Sequence, residues 1–236
     1  MDGHCREKRM NSFYILPDGF LCEEDERHLK KVLRLEIGDS IEALDGQGRR
    51  FLARIEALSP RVRVRLCEEL PSNESPLSLT VYQGVPKADK LEWIAQKLTE
   101  LGARRLVPVV MERSVKRPEK IARLEKIARE AAKQCSRACP VEIAAPLSWK
   151  EALEEMRRHT LLAVPWEQAS AGRLCELPPA RDVGLLIGPE GGISPAEIAD
   201  VQALGARVVT LGPRILRTET AAICAAAIAM SLWGDL

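Results

Sequence analysis

Two strings near the C-terminus constrain this chain more than any other feature. Each is an apolar β-like run that stops at a Gly-Pro turn and hands over to a helical pattern. The first is Leu185-Leu186-Ile187-Gly188-Pro189-Glu190-Gly191-Gly192-Ile193-Ser194, and the second runs from Val208-Val209-Thr210-Leu211-Gly212-Pro213-Arg214 through Ile215-Leu216-Arg217-Thr218-Glu219-Thr220-Ala221. Open α/β sheets bind small ligands at strand ends of this kind. Glycine reaches positive φ and leaves main-chain groups bare to a ligand, while proline stiffens the turn. Ser194-Pro195-Ala196-Glu197 has the form of a capping box with proline at the first helical position, which predicts a helix from there to about Leu204-Gly205.

Upstream, strand and helix patterns alternate. The reading is strand Leu77 to Tyr82, helix Asp89 to Leu101, strand Leu106 to Val110 and helix Glu119 to Gln134. A short Val141-Glu142-Ile143, helix Trp149 to His159 and strand Leu161 to Val164 follow. That order predicts an α/β domain over 77–236 with a mostly parallel sheet covered on both faces. Residues 10–70 read differently, as a small β domain. It opens on Ser12-Phe13-Tyr14-Ile15-Leu16; its β segments are Ile41 to Leu44, Phe51 to Leu58 and the alternating Arg61 to Leu66, with one helix from about Glu24 to Leu33 and a turn at Asp45-Gly46-Gln47-Gly48. Pro71-Ser72-Asn73-Glu74-Ser75-Pro76 has linker composition, and residues 1–9 read as a loose polar extension.

Several chemistries are disfavoured. The glycine pattern of a dinucleotide fingerprint and the Gly-Lys-Ser/Thr of a P-loop do not occur, and Glu190 would repel a pyrophosphate. Seven scattered cysteines form no Cys-x-x-Cys pair, so reduced thiols are expected. Cys135 and Cys139 are half a metal site with no second pair of ligands, and no metal is expected. The histidines sit near no serine, cysteine or carboxylate cluster in sequence that suggests a hydrolytic triad. The apolar stretch Ala221 to Met230 is too short to span a bilayer and no leader pattern is visible, so a cytoplasmic protein without a membrane partner is expected.

A net charge of +1 conceals segregation. Residues 27–65 carry ten Lys/Arg against five acids, and residues 104–137 carry eleven against four. Two basic segments suit an RNA phosphate track whose binding weakens with salt. The competing reading is a solvated helix face with pairs such as Glu125-Arg129 and Glu130-Lys133. The helix after Arg217 carries Ala221, Ala222, Ala225, Ala226, Ala227 and Ala229, small residues suited to close packing in a core or across an interface.

Both C-terminal strings resemble signatures of the 16S ribosomal RNA uridine-N3 methyltransferases, a family within the SPOUT class of knotted methyltransferases. The likeness extends through Lys87 to Gly102, Glu112-Arg113-Ser114, Glu130 to Arg137 and His28 to Arg34, so it covers nearly the whole chain. Two positions depart from the family pattern: Cys135-Ser136 interrupts a tighter Gln-Ser-x-x-Arg spacing, and a histidine pair reads Arg27-His28.

The resemblance implies a PUA-like β domain for RNA docking, then a SPOUT-type α/β domain with a trefoil knot, working as a homodimer. It implies transfer of the methyl group of S-adenosylmethionine to a uridine in 16S ribosomal RNA or the small ribosomal subunit. Cofactor contacts are expected at Pro165, Leu186, Ile187, Gly188, Glu190, Gly191, Leu211, Gly212, Ile215, Leu216 and Arg217. Arg217 is the expected catalytic residue, stabilising negative charge on the uracil, with pairing to Glu219 or Glu190 as its alternative role. Glu190 has three readings: proton acceptor, partner of the cofactor amino group, or helix-dipole partner. RNA contacts are expected at His28, Lys31, Arg34, Arg113 and Arg137, with interdomain ion pairs as the alternative for Arg34 and Arg113. A ribose 2′-O methyltransferase and a non-catalytic RNA-binding module are the other functions in play.

Overall fold

In the computed structural model, residues 10–87, 89–114, 121–169 and 172–236 are described. The extension expected at residues 1–9 and the helix start expected at Glu119 lie outside them, as do Lys116, Arg117 and Lys120. The chain forms two compact units, one from the chain up to Glu74 with Ala132–Cys139, the other from Ser75–Ala131 with Pro140–Leu236.

The first unit is a four-stranded sheet of β1 (Ser12–Tyr14), β2 (Ser40–Leu44), β3 (Arg50–Ala57) and β4 (Arg63–Leu70), in that spatial order. β1 lies parallel to β2, and the other neighbours are antiparallel. The Asp45 carboxylate closes the β2–β3 hairpin by accepting the N–H groups of Gln47 at 2.7 Å and Arg49 at 3.0 Å. Val62 and Val64 point into a core with Phe13, Leu21, Leu29, Ile41 and Ile55, while Arg63 and Arg65 stay in water. The strand runs four residues beyond the predicted Leu66, but the alternation does not, because residues 65–69 are all exposed. The predicted helix is shorter in its α form, α1 (Glu23–His28), and continues as a π-helical turn over Leu29–Leu33. It stops at Arg34, whose φ of 53° is left-handed.

Ala132–Cys139 is fastened to this unit by polar contacts. The Lys133 ammonium meets Asp25 at 2.7 Å, and Asn73 donates to the Ser136 carbonyl at 2.8 Å. Arg137 is 5% exposed, and its guanidinium is held by Glu74 at 2.7 Å; the same carboxylate accepts the Cys139 N–H at 3.0 Å. Arg137, expected as an RNA contact, is thus a buried, paired guanidinium placed to anchor the fold. Cys135 and Cys139 direct their thiols to different carbonyls, those of Ala132 and Gly46.

The second unit contains β5 (Ser78–Gly84), α2 (Lys90–Glu100), β6 (Arg105–Val110), α3 (Ile121–Cys135, shared with the first unit), β7 (Glu142–Ile143) and β8 (Leu147–Ser148). It continues with α4 (Trp149–Met156), β9 (Leu161–Pro165), β10 (Asp182–Ile187), α5 (Pro195–Ala203), β11 (Arg207–Val209) and α6 (Thr218–Trp233). The strands run in the order β11-β9-β10-β5-β6-β7 with β8 also beside β6, and every pairing is parallel.

Alternation along the strands divides the core. Leu79, Val81, Leu185 and Ile187 pack with Ile94 and Leu98 of α2 and Ala222, Ala225, Ala226 and Ala229 of α6. Tyr82, Val107, Leu186 and Val164 pack with α4 and α5 on the other face. Those four α6 alanines are fully buried, so they serve the chain's own core.

Ser194 and Glu197 cap α5 reciprocally, Glu197 N–H to Ser194 Oγ at 3.3 Å and Ser194 N–H to Glu197 Oε2 at 2.9 Å. The fold sets His159 beside a carboxylate remote in sequence, with a tyrosine and no serine or cysteine on its other nitrogen. Nδ1 lies 3.0 Å from Asp182 and Nε2 2.9 Å from the Tyr82 hydroxyl. Burial pushes the Tyr82 phenol up, so it stays protonated and the chain of contacts serves as a tie between strands.

Candidate active site

The carboxyl ends of β9, β10 and β11 surround a cavity of about 500 Å³, a size that suits a nucleoside-sized ligand. Its walls are the turns after those strands, 165–167, 187–193, 210–212 and 214–217, with Lys90, Thr218 and Ala221. Pro165, Ile187, Gly188, Glu190, Gly191, Leu211, Gly212, Ile215, Leu216 and Arg217 all line it. Leu186 does not; strand alternation turns it into the core on the opposite face from Ile187.

The glycines divide into two kinds. A Cβ on Gly188 would lie 2.8 Å from Ile193 Cγ1, and one on Gly191 would lie 2.9 Å from Arg113 Cβ, so these two let the loop close on its own neighbours. Gly212, with φ of 123°, has open space within 4 Å of where a Cβ would stand. There the main chain is bare to the cavity. Thr210 fixes that turn, its hydroxyl accepting the Gly212 N–H at 3.0 Å and donating to the Gly212 carbonyl at 3.0 Å.

A buried clasp holds the other turn. Thr218 Oγ1 at the start of α6 donates to the Gly188 carbonyl at 2.6 Å, and Gln83 at the end of β5 donates to Thr218 Oγ1 and to the Gly84 carbonyl, both at 2.8 Å. Thr218→Val leaves the Gly188 carbonyl and the Gln83 amide short of a partner. The expected cost is about 1–2 kcal/mol of stability, read by urea titration.

Charge at the cavity is arranged around Lys90. Its ammonium lies 3.0 Å from Glu190 and 3.2 Å from Glu219, and Glu190 also accepts the Lys87 N–H at 3.0 Å. Partial burial pushes the Glu190 carboxyl up, but Lys90 and the backbone N–H groups outweigh it and hold it below the usual carboxylate range. Both carboxylates that were alternative partners for Arg217 are thus engaged. Among the described residues no ion pair or hydrogen bond holds the exposed Arg217 side chain, which borders the cavity as a free cation.

Arg113 is exposed but committed to this neighbourhood, donating to the Gly191 carbonyl at 2.8 Å. Next to it, the Glu112 N–H donates to Glu197 at 2.9 Å. Elsewhere in the basic segments, Arg105, Arg123 and Lys133 pair with Glu142 and Glu155, Glu92, and Asp25 respectively. In the first unit, His28, Lys31 and Arg34 are exposed, and among the described residues no ion pair engages them.

Sequence reasoning missed Lys90, Trp166, Glu167 and Thr210 on the cavity wall and Gln83 behind it. Gln83 left one signal, a neutral polar residue closing an apolar run. Thr210 left another, two residues before a glycine in a turn.

A family model described as an RNA methyltransferase domain matches residues 73–230, and one described as an RNA methyltransferase PUA domain matches residues 21–67. The chain is 33% identical over 218 residues to the ribosomal RNA small subunit methyltransferase E of Bacillus subtilis, covering 86% of this chain and 85% of that one. Among solved structures it is similar to the ribosomal RNA small subunit methyltransferase E of Neisseria gonorrhoeae bound to S-adenosyl methionine, with 33% identity and a TM-score of 0.87 over 96% of this chain and 99% of that one. A methyltransferase of Legionella pneumophila in complex with the same cofactor gives 33% identity and a TM-score of 0.84 over 97% and 100% of the two chains. The four-stranded sheet accordingly lies in a PUA domain and the parallel α/β sheet in an RNA methyltransferase domain. With sequence, fold and cavity in agreement, the chain belongs to the ribosomal RNA small subunit methyltransferase E family.

Proposed function

We propose that the protein transfers the methyl group of S-adenosylmethionine to N3 of a uridine in 16S ribosomal RNA. The observation that carries this reading is the cavity itself, where bare main chain at Gly212 and an unpaired Arg217 share one wall in a chain of this family. The cavity fits the cofactor in volume and in its main-chain lining. Bound there, S-adenosylmethionine supplies a methyl group already activated on a sulfonium.

The residues' task is alignment and charge. Main-chain groups of Ile187, Gly188, Gly191, Leu211, Gly212, Ile215 and Leu216, with Pro165 beside them, hold the adenosyl part, and the Gly188 clasp fixes their geometry before the ligand arrives. Arg217 stabilises negative charge on the uracil as the N3 proton leaves to solvent. Glu190, held as a carboxylate by Lys90, is a weak base and is assigned to binding. Uridine N3 lies on the Watson-Crick edge, so the base must be unpaired or turned out. His28, Lys31 and Arg34 are assigned to docking the RNA. By its likeness to the family, the protein is assigned as a cytoplasmic homodimer.

The test is to incubate small ribosomal subunits from cells lacking this protein with the enzyme and labelled cofactor, then digest the RNA and locate the methyl group by mass spectrometry. Methyl on uracil N3 is the expected result. Methyl on ribose, or RNA binding without transfer, would replace this reading with one of its two competitors.

A further inference from the structure

Ile215 is 86% exposed, the most exposed large apolar side chain among the described residues, and it stands at the mouth of the cavity. An isoleucine left in water gives up nearly all the burial free energy its side chain offers. The segment that presents it is pinned at both ends. On one side is the Thr210–Gly212 turn, on the other the Thr218–Gly188 contact, and Pro213 stiffens the chain between them. Ile215 is therefore held out, and the fold makes almost no use of its surface. Its neighbours Arg214 and Arg217 are exposed, and among the described residues neither is in an ion pair. An apolar tip between two unpaired cations matches a nucleic acid locally, with base faces for the tip, a phosphate for Arg214 and the target uracil for Arg217.

We propose that Ile215 is the wedge that enters the RNA stack where the target uridine leaves it, with Arg214 gripping the adjacent phosphate. This rests on the reaction proposed above. A base whose reacting edge is its pairing edge must be turned out, and the vacated stack collapses or refills unless something apolar occupies it. Isoleucine is among the side chains that insert between base steps. The cofactor contact at this position belongs to the main chain, so the side chain is free for RNA.

The test compares wild type, Ile215→Ala and Ile215→Met. Three readouts are taken: S-adenosylmethionine affinity by calorimetry, self-association by light scattering, and kcat/KM on small-subunit RNA carrying 2-aminopurine beside the target uridine. Ile215→Ala should lower kcat/KM about tenfold or more and abolish the fluorescence rise that reports unstacking. Ile215→Met should restore both, with cofactor affinity and oligomeric state unchanged in each variant. An unaltered kcat/KM in Ile215→Ala overturns the proposal. So does a parallel loss of cofactor affinity, which would seat the side chain on the adenosyl group, or a weakened self-association, which would seat it on a second copy. Failure of the wild type to bind the cofactor or methylate RNA would instead strike the underlying reaction.

Discussion

Arg217→Ala lowers kcat by about 10²- to 10³-fold while S-adenosylmethionine still binds, because a donor aimed at developing charge acts in the transition state and hardly at all in the ground state. The premise is that the guanidinium is free in the resting protein, since Lys90 already engages both Glu190 and Glu219. Stopped-flow or single-turnover methyl transfer gives the rate and calorimetry gives the affinity. Raising the pH should recover part of the loss, because base-promoted removal of the N3 proton replaces what the arginine supplied. Equal losses in affinity and rate would instead make Arg217 a cofactor anchor.

Arg137→Ala should cost about 3–5 kcal/mol of stability, because it strands the Glu74 carboxylate in a part-buried site without its cation. Urea titration of the intact protein measures it, and Arg137→Met combined with Glu74→Gln should regain most of the loss, since that pair leaves no uncompensated charge. The salt slope of RNA affinity is the discriminating readout. A residue touching phosphate changes that slope by about one unit when removed, and a residue turned into the fold leaves it alone.

Arg137 also shows what sequence can and cannot locate. Both C-terminal strings were legible as strand, turn and helix because glycine, proline and the Ser194–Glu197 cap act within a few residues of one another. Alternation identified the strands, yet it did not say which face meets the ligand, so Leu186 was grouped with Ile187 although the two side chains go to opposite cores. Basic composition was likewise legible and its destination was not. Lys133 and Arg137 find partners more than sixty residues away in sequence, a distance at which pattern carries no signal. Gln83 and Thr218 are 135 residues apart and meet only once the sheet has formed. The threading that the family resemblance implies leaves no mark on periodicity at all.

The Thr218–Gly188 contact makes ligand binding a report on completeness. The turn after β10 is formed by residues synthesised well before α6, but its Gly188 carbonyl takes its shorter hydrogen bond, 2.6 Å, from the first hydroxyl of that helix, with the Gln83 amide at 3.4 Å. A polypeptide released early, or still emerging, owns most of the cradle and none of its latch. In such a fragment the Gly188 carbonyl keeps only the longer contact from Gln83, so the cradle stays looser until the last helix docks.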